Sequence, residues 1–347
     1  MKILYLSHSR LNNFANSIYL KGLPEIDVGV EAYHIKKSLA GYFDVLKKIL
    51  KIKADLIMIG YDSSQLVFFC RLFTRKKIVY HAVLPVYERL ITSRNLADRR
   101  SFKGIYYWLI DFFAFQTADL TMLETDHQID FVSDFYTVAK ERLFRAWTGV
   151  DGDDFFYDSS VSKLPVFTVL FRGAFMPEAG VEYALQAAKI LENKNVYFVV
   201  IGGGILMAKI KILIEELKPK NLELISDFLP QEKLRKAMQQ CHLSLGQLSD
   251  HIRLDRTIPN KAYESLALKL PYLTAHNTGI LELLTPDQTC LTCNPANAES
   301  LAEKIMWAKN NYHQTEIIAE HGYELYQNTL QSNVLAKNLM AKIKLLP

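Results

Sequence analysis

Cysteine is scarce in this sequence. The four residues Cys70, Cys241, Cys290 and Cys293 are too few for the disulfide framework of a secreted scaffold. Only Cys290 and Cys293 have metal-ligand spacing, and without a second pair or neighbouring histidines they read as inert thiols, so no metal site is expected. Long apolar runs are missing as well. The most apolar segment, Ile105 to Phe115, contains Asp111 and falls well short of the roughly 20 residues that cross a bilayer. Met1 to Ser7 is an apolar run of strand length with no cleavage pattern behind it, so no secretory signal is expected and the chain is assigned to the cytoplasm. A strong charge of one sign is also lacking, since the net charge is +4.

At 347 residues, half of them apolar and 22% charged, the chain exceeds what one core organises, and two domains are expected. The modest charge is unevenly spread. Residues 1–150 hold 21 Lys and Arg against 15 Asp and Glu, while the remainder holds 20 against 22. The basic half is therefore expected to face something anionic. No recognised nucleic-acid module accompanies that charge, so nucleic acid is not expected as a partner.

Short apolar runs alternate with helical patterns throughout, the grammar of βαβ units and parallel sheets. Strands are predicted at Ile3–Leu6, Val28–Tyr33, Leu56–Ile59, Lys77–His81, Leu120–Leu123 and Arg142–Ala146. A second set is predicted at Val166–Phe171, Val196–Ile201, Leu222–Ile225, Leu243–Leu245, Tyr272–Thr274 and Cys290–Cys293. Between the sets, Thr148–Pro165 is rich in Asp, Ser and Gly without periodicity and reads as a linker. The expected architecture is α/β: two doubly wound Rossmann-like domains, 1–150 and 151–329, with the carboxyl ends of both sheets facing a central cleft. A helical tail at about 330–347 is expected to pack back on the first domain.

Three segments carry the chemistry. The predicted strand at Val166–Phe171 runs into Arg172-Gly173, where a glycine lets backbone approach a ligand and an arginine can grip a diphosphate with paired donors. Val196–Ile201 ends in Gly202-Gly203-Gly204 before a helix, which offers backbone N–H groups to an anion. In RTIPNKAYESLALKLPYLT, Pro259 opens a helix whose first turns hold Asn260, Lys261 and Glu264. Lys261 suits a phosphate, and a carboxylate at Glu264 suits the two adjacent hydroxyls of a ribose. The same two residues also read as ordinary surface charges of a first helical turn, and that alternative stays open on the sequence alone.

FRGAFMPEAGVEYALQAAKIL, VYFVVIGGG, SDFLPQEKLRKAM, IPNKAYESLALKLPYLT, TGILELL and NPANAESLAEKI stand in the order and spacing of retaining glycosyltransferases of family 4. The chain resembles that family over most of its length, more strongly after residue 140. The resemblance implies the GT-B fold, a nucleotide-sugar donor, a glycan or lipid-linked acceptor, retention of configuration, a role in cell-surface polysaccharide synthesis, and no cofactor or divalent metal. Its usual diphosphate cations fall on Ala174 and Ala179, leaving Arg172 and Lys261 as substitutes with Arg253 and Arg256 in reserve. The first of the family's two glutamates falls on Arg256, beside Asp255. Carried over residue by residue, Arg172, Lys261 and His81 take catalytic roles, while Gly173, Gly204, Asn260 and Glu264 bind the donor. Ser9, Arg10 and Arg256 are further donor or acceptor contacts. A GT-B nucleotide-sugar epimerase and a non-catalytic glycosyltransferase-like binding subunit are the alternatives, the second supported by the two alanines and Arg256.

Ile35–Leu50 is expected to be an amphipathic helix with Ile35, Leu39, Tyr42, Phe43, Leu46, Ile49 and Leu50 on one face and lysines beside it. This suits the anionic inner face of a membrane, or equally a domain helix with a solvated lysine side. The aromatic run from Tyr106 to Phe115 is expected mainly in the core.

Overall fold

The computed structural model describes residues 1–346. Contacts divide the chain into two compact units: Met1–Asp151 together with the described residues from Thr329 on, and Gly152–Asn328.

In the first unit, β1 (Lys2–Ser7), β2 (Gly29–His34), β3 (Leu56–Ile59), β4 (Lys77–Val83), β5 (Leu120–Leu123) and β6 (Leu143–Arg145) form one sheet in the order β2-β1-β3-β4-β5-β6. Every pairing is parallel. Alternate strand residues serve opposite faces, as the two-residue period requires. Leu4, Leu6, Ile57 and Ile59 pack with the helices Leu39–Lys51, Ser64–Phe73, Phe102–Thr117 and Asp126–Tyr136. Ile3, Tyr5, Leu56 and Met58 pack on the opposite face, with Ile18, Tyr19 and Leu23 of the helix Phe14–Glu25 and Leu335, Ala336 and Leu339 of the helix Ser332–Lys344. The tail helix thus belongs to the core of the first unit.

The second unit repeats the scheme. β7 (Phe167–Ala174), β8 (Val196–Gly203), β9 (Leu222–Ile225), β10 (Leu243–Leu245), β11 (Tyr272–Ala275) and β12 (Leu291–Cys293) form a parallel sheet in the order β12-β11-β10-β7-β8-β9. All twelve predicted strands are present. β7 and β8 run further than expected, so that Arg172 pairs with Ile201, Gly173 with Gly202 and Ala174 with Gly203. Gly173, Gly202 and Gly203, which the sequence places just past two strands, belong to the paired ends of those strands.

The helix at residues 35–50 requires a correction. It spans Leu39–Lys51, with the Ser38 hydroxyl accepting from the Gly41 amide as its cap, and Ile35 is buried before it begins. Val45 and Ile49 face the core, whereas Leu39, Phe43 and Leu50 face solvent. The aromatic run also divides: Phe115 is buried, while Tyr106 and Phe113 are exposed.

The helices Phe14–Glu25 and Ser332–Lys344 meet at Gly22, where an added Cβ would stand 2.0 Å from the Ser332 carbonyl oxygen. Gly22→Ala gains about 1 kcal/mol of helix propensity but overpacks this contact at a cost of about 3 kcal/mol. Urea unfolding of the variant is expected to show a net loss of about 2 kcal/mol.

Candidate active site

The second sheet reverses its strand order between β7 and β10, and open α/β sheets bind ligands in the crevice outside the carboxyl ends of the strands at such a point. Arg172 and Gly173 come from the end of β7, next to Leu245 of β10. The helix Asn260–Ala267, entered through the extended Pro259, brings Asn260, Lys261 and Glu264 to the same place. Pro259 fits this entry because a missing N–H costs little where the first helical amides have no intrahelical partner.

Lys261 and Glu264 are both buried, which excludes their reading as surface charges of a first turn. Arg172 Nη1 donates to both carboxylate oxygens of Glu264, at 2.5 Å each. Lys261 Nζ donates to the Gly246 carbonyl at 3.0 Å and sits 3.9 Å from the centroid of the Phe171 ring. Burial and the neighbouring Arg172 guanidinium lower the Lys261 ammonium to about 7, against the opposing pull of Glu264. Burial likewise raises the Glu264 carboxyl, opposed by Arg172 and Lys261. Two cations and one carboxylate therefore share a site in which Lys261 and Glu264 are buried and Arg172 is half-buried, with one positive charge in excess when all are ionised.

Gly173 adopts φ +144° beside this cluster, where an added Cβ would lie in ordinary contact with Lys261 Cε at 3.5 Å but in a backbone conformation that favours glycine. Gly204, at φ +155°, has a different reason to be glycine. A Cβ there would come within 2.8 Å of the Phe175 backbone, so its role in the fold is close packing of two chain segments. Asn260 is the first residue of its helix and is partly exposed. Arg256 ends the short 3-10 turn Ile252–Asp255, its backbone N–H donating to Arg253. Arg253 forms an ion pair with the buried Glu178, whose carbonyl also accepts from the Ser249 hydroxyl at 3.0 Å. Ala179 is buried, so this position presents no cation.

Ser9, Arg10 and His81 lie in the first unit. The first sheet reverses its order between β1 and β3, and Ser9 and Arg10 are in the loop that follows β1. Asn16 fixes that loop. Its amide donates to the Ser7 hydroxyl and the Arg10 carbonyl, and its carbonyl accepts from the Tyr5 hydroxyl and the Tyr61 amide. His81 is fully buried in β4, edge-on to Tyr19 at 4.9 Å between centroids, and burial lowers its imidazole to about 3. It is a neutral ring within the fold, immediately before a register shift at which Val83 takes φ +64°. The structure thus gathers Arg172, Gly173, Lys261 and Glu264 into one cluster in the second unit. Sequence reasoning missed Glu178 and Asn16. Their partners stand far off in the chain or on the backbone, and no local pattern marks them.

Residues 156–325 match the family described as Glycosyl transferases group 1. Among solved structures, HepE from Anabaena in complex with UDP-glucose is similar at TM-score 0.76 and 16% identity, covering 99% of both chains. Sucrose-phosphate synthase from Thermosynechococcus elongatus is similar at TM-score 0.78 and 12% identity, over 99% of this chain and 98% of that one. WaaG, a glycosyltransferase involved in lipopolysaccharide biosynthesis, is similar at TM-score 0.68 and 15% identity, over 97% and 98%. The chain has the GT-B fold. Its second unit carries the group 1 glycosyl transferase match almost from end to end. No curated protein matches at the level of sequence. Among the described residues no group of three or more His, Cys, Asp or Glu is placed to hold a metal ion, and no helix is long and apolar enough to cross a membrane.

The lowered Lys261 ammonium has a measurable consequence. Above about 7 the folded chain gives up this proton while the unfolded chain keeps it up to the ordinary lysine value, so Lys261 makes stability rise with pH across that window. Lys261→Met is expected to remove a slope approaching about 1.4 kcal/mol per pH unit. Denaturant midpoints of both proteins from neutral to alkaline pH would reveal it, and parallel curves would contradict it.

Proposed function

We propose that this GT-B chain is a glycosyltransferase. It moves a sugar from a nucleoside diphosphate donor to a glycan or lipid-linked acceptor, with retention, in the synthesis of cell-surface polysaccharide. The observation that carries this reading is the cluster of half-buried Arg172 with buried Lys261 and Glu264 at the strand-order reversal of the unit that matches the group 1 transferases. HepE binds UDP-glucose, which makes a uridine diphosphate sugar the first donor to try.

In the proposed reaction the bond between the anomeric carbon and the diphosphate oxygen breaks. The acceptor oxygen bonds to that carbon, and its proton passes to the leaving phosphate. Arg172 and Lys261 stabilise the charge that develops on the diphosphate, which is electrostatic catalysis by groups already in place. Glu264 accepts hydrogen bonds from the ribose hydroxyls. Donor binding thereby exchanges partners: Arg172 turns from carboxylate to phosphate and Glu264 from guanidinium to ribose. Asn260 and the Gly173 backbone line the donor, while Arg256, Ser9 and Arg10 serve the sugar or the acceptor; His81 and Gly204 are packed within the fold and take no direct part. The reaction as proposed uses no divalent metal, because side chains meet the diphosphate charge. We assign the enzyme to the cytoplasm; among the described residues no helix is long and apolar enough to cross a membrane.

An anion beside Lys261 favours its charged form, so nucleotide binding takes up a proton above about pH 7. UDP, compared with GDP and ADP, is expected to raise the thermal midpoint. Lys261→Ala and Glu264→Ala should each weaken binding by about tenfold or more, equivalent to about 1.4 kcal/mol. UDP affinity should fall as pH rises above neutral in the wild type and stay flat in Lys261→Arg. A folded protein whose midpoint no nucleotide shifts would sink the enzyme reading and favour the non-catalytic binding subunit, in which the Arg172–Glu264 pair never opens.

A further inference from the structure

The helices Leu39–Lys51, Ser64–Phe73 and Phe102–Thr117 cover the same face of the first sheet, and each is apolar on its outer side as well as its inner one. On the first, Leu39, Phe43 and Leu50 recur at helical spacing, with Leu39 81% and Leu50 82% exposed. On the second, Phe68, Leu72 and Phe73 are exposed. On the third, Phe102, Ile105, Leu109 and Phe113 form one outward stripe that begins with Phe102 at 96% exposure. Ring contacts join the stripes. Tyr42 meets Phe69 at 4.7 Å between centroids, and Phe68 meets Phe113 at 5.4 Å. A soluble monomer rarely exposes so continuous an apolar surface without using it.

The rim identifies what covers this surface. Residues 36–51 and 94–103 together hold nine Lys and Arg against two Asp. Lys36, Lys47 and Lys51 border the first helix, and Arg99, Arg100 and Lys103 stand at the start of the third, all exposed. A second copy seated on this face would oppose cations to cations, a like-charge juxtaposition that disfavours association. An anionic bilayer offers the opposite charge at its headgroups and an apolar layer just beneath them. We propose that this three-helix face seats the chain on a membrane surface rich in anionic lipid. The apolar stripes enter the interface and the basic rim contacts the headgroups.

The test is co-flotation of the full chain with vesicles of phosphatidylcholine alone or mixed with phosphatidylglycerol, without any nucleotide. Strong binding to the anionic vesicles is expected, weakening as salt screens the rim. Phe43→Ser combined with Leu109→Ser, and separately Lys47→Glu combined with Lys51→Glu, are each expected to lower binding by about tenfold or more. These are solvent-facing positions, so thermal midpoints should match the wild type. Absence of wild-type binding at low salt, or equal binding to both vesicle types, would overturn the proposal. So would sedimentation showing a dimer that Phe43→Ser abolishes, which would identify a second copy as the occupant. Because no nucleotide is involved, failure here leaves the transferase reading untouched, and failure of nucleotide binding leaves this proposal untouched.

Discussion

A parallel sheet has two faces to cover, and that constraint shapes everything else in this chain. In the first unit it is met on one side by four helices whose connections return the chain from strand to strand. On the other it is met only in part by the helix Phe14–Glu25, and the helix Ser332–Lys344 completes the cover. Leu335, Ala336 and Leu339 are as buried there as any strand residue, and Gly22 is small because the tail's backbone rests on it. The strand-order reversals in both sheets follow from the same economy of crossover connections, and they leave the crevices beside which Arg172 and Ser9 stand.

The site in the second unit is held by charge in a dry setting. A buried carboxylate with two cations near it is stable only because each group has a partner: Glu264 has Arg172, and Lys261 has the Gly246 carbonyl and the face of Phe171. While Lys261 is protonated the cluster holds one positive charge in excess, and burial leaves little water around Lys261 and Glu264 to screen it. An anionic ligand relieves that excess, which is why a site of this composition suits a diphosphate better than a neutral sugar alone.

Much of this was legible in the sequence. Parallel strands covered on both faces are short uninterrupted apolar runs, and all twelve could be read from that pattern. The cluster was legible in part. The residue types at Arg172, Gly173, Lys261 and Glu264 stood out, but their burial did not, because a Lys and a Glu in a first helical turn look like solvated charges. The pairing of Arg172 with Glu264 spans 92 residues and leaves no local trace. The helix Leu39–Lys51 misled for a different reason: it is apolar on two sides, and a single-face pattern cannot tell which of Val45 and Phe43 meets the core. The resemblance carries His81 over as a catalytic residue, but its full burial against Tyr19 is a tertiary fact that no local pattern marks.

The tail helix has a consequence for synthesis. A ribosome delivers residues 1–151 first, yet the helix that closes one face of their sheet arrives only after the whole of Gly152–Asn328 has been made. The second unit can complete its core as it emerges, while the first waits with Ile3, Tyr5, Met58 and their neighbours open to water or to chaperones. Translation that stops before Ser332 therefore yields a chain whose second unit is whole and whose first presents an open apolar sheet face, a product suited to aggregation or proteolysis.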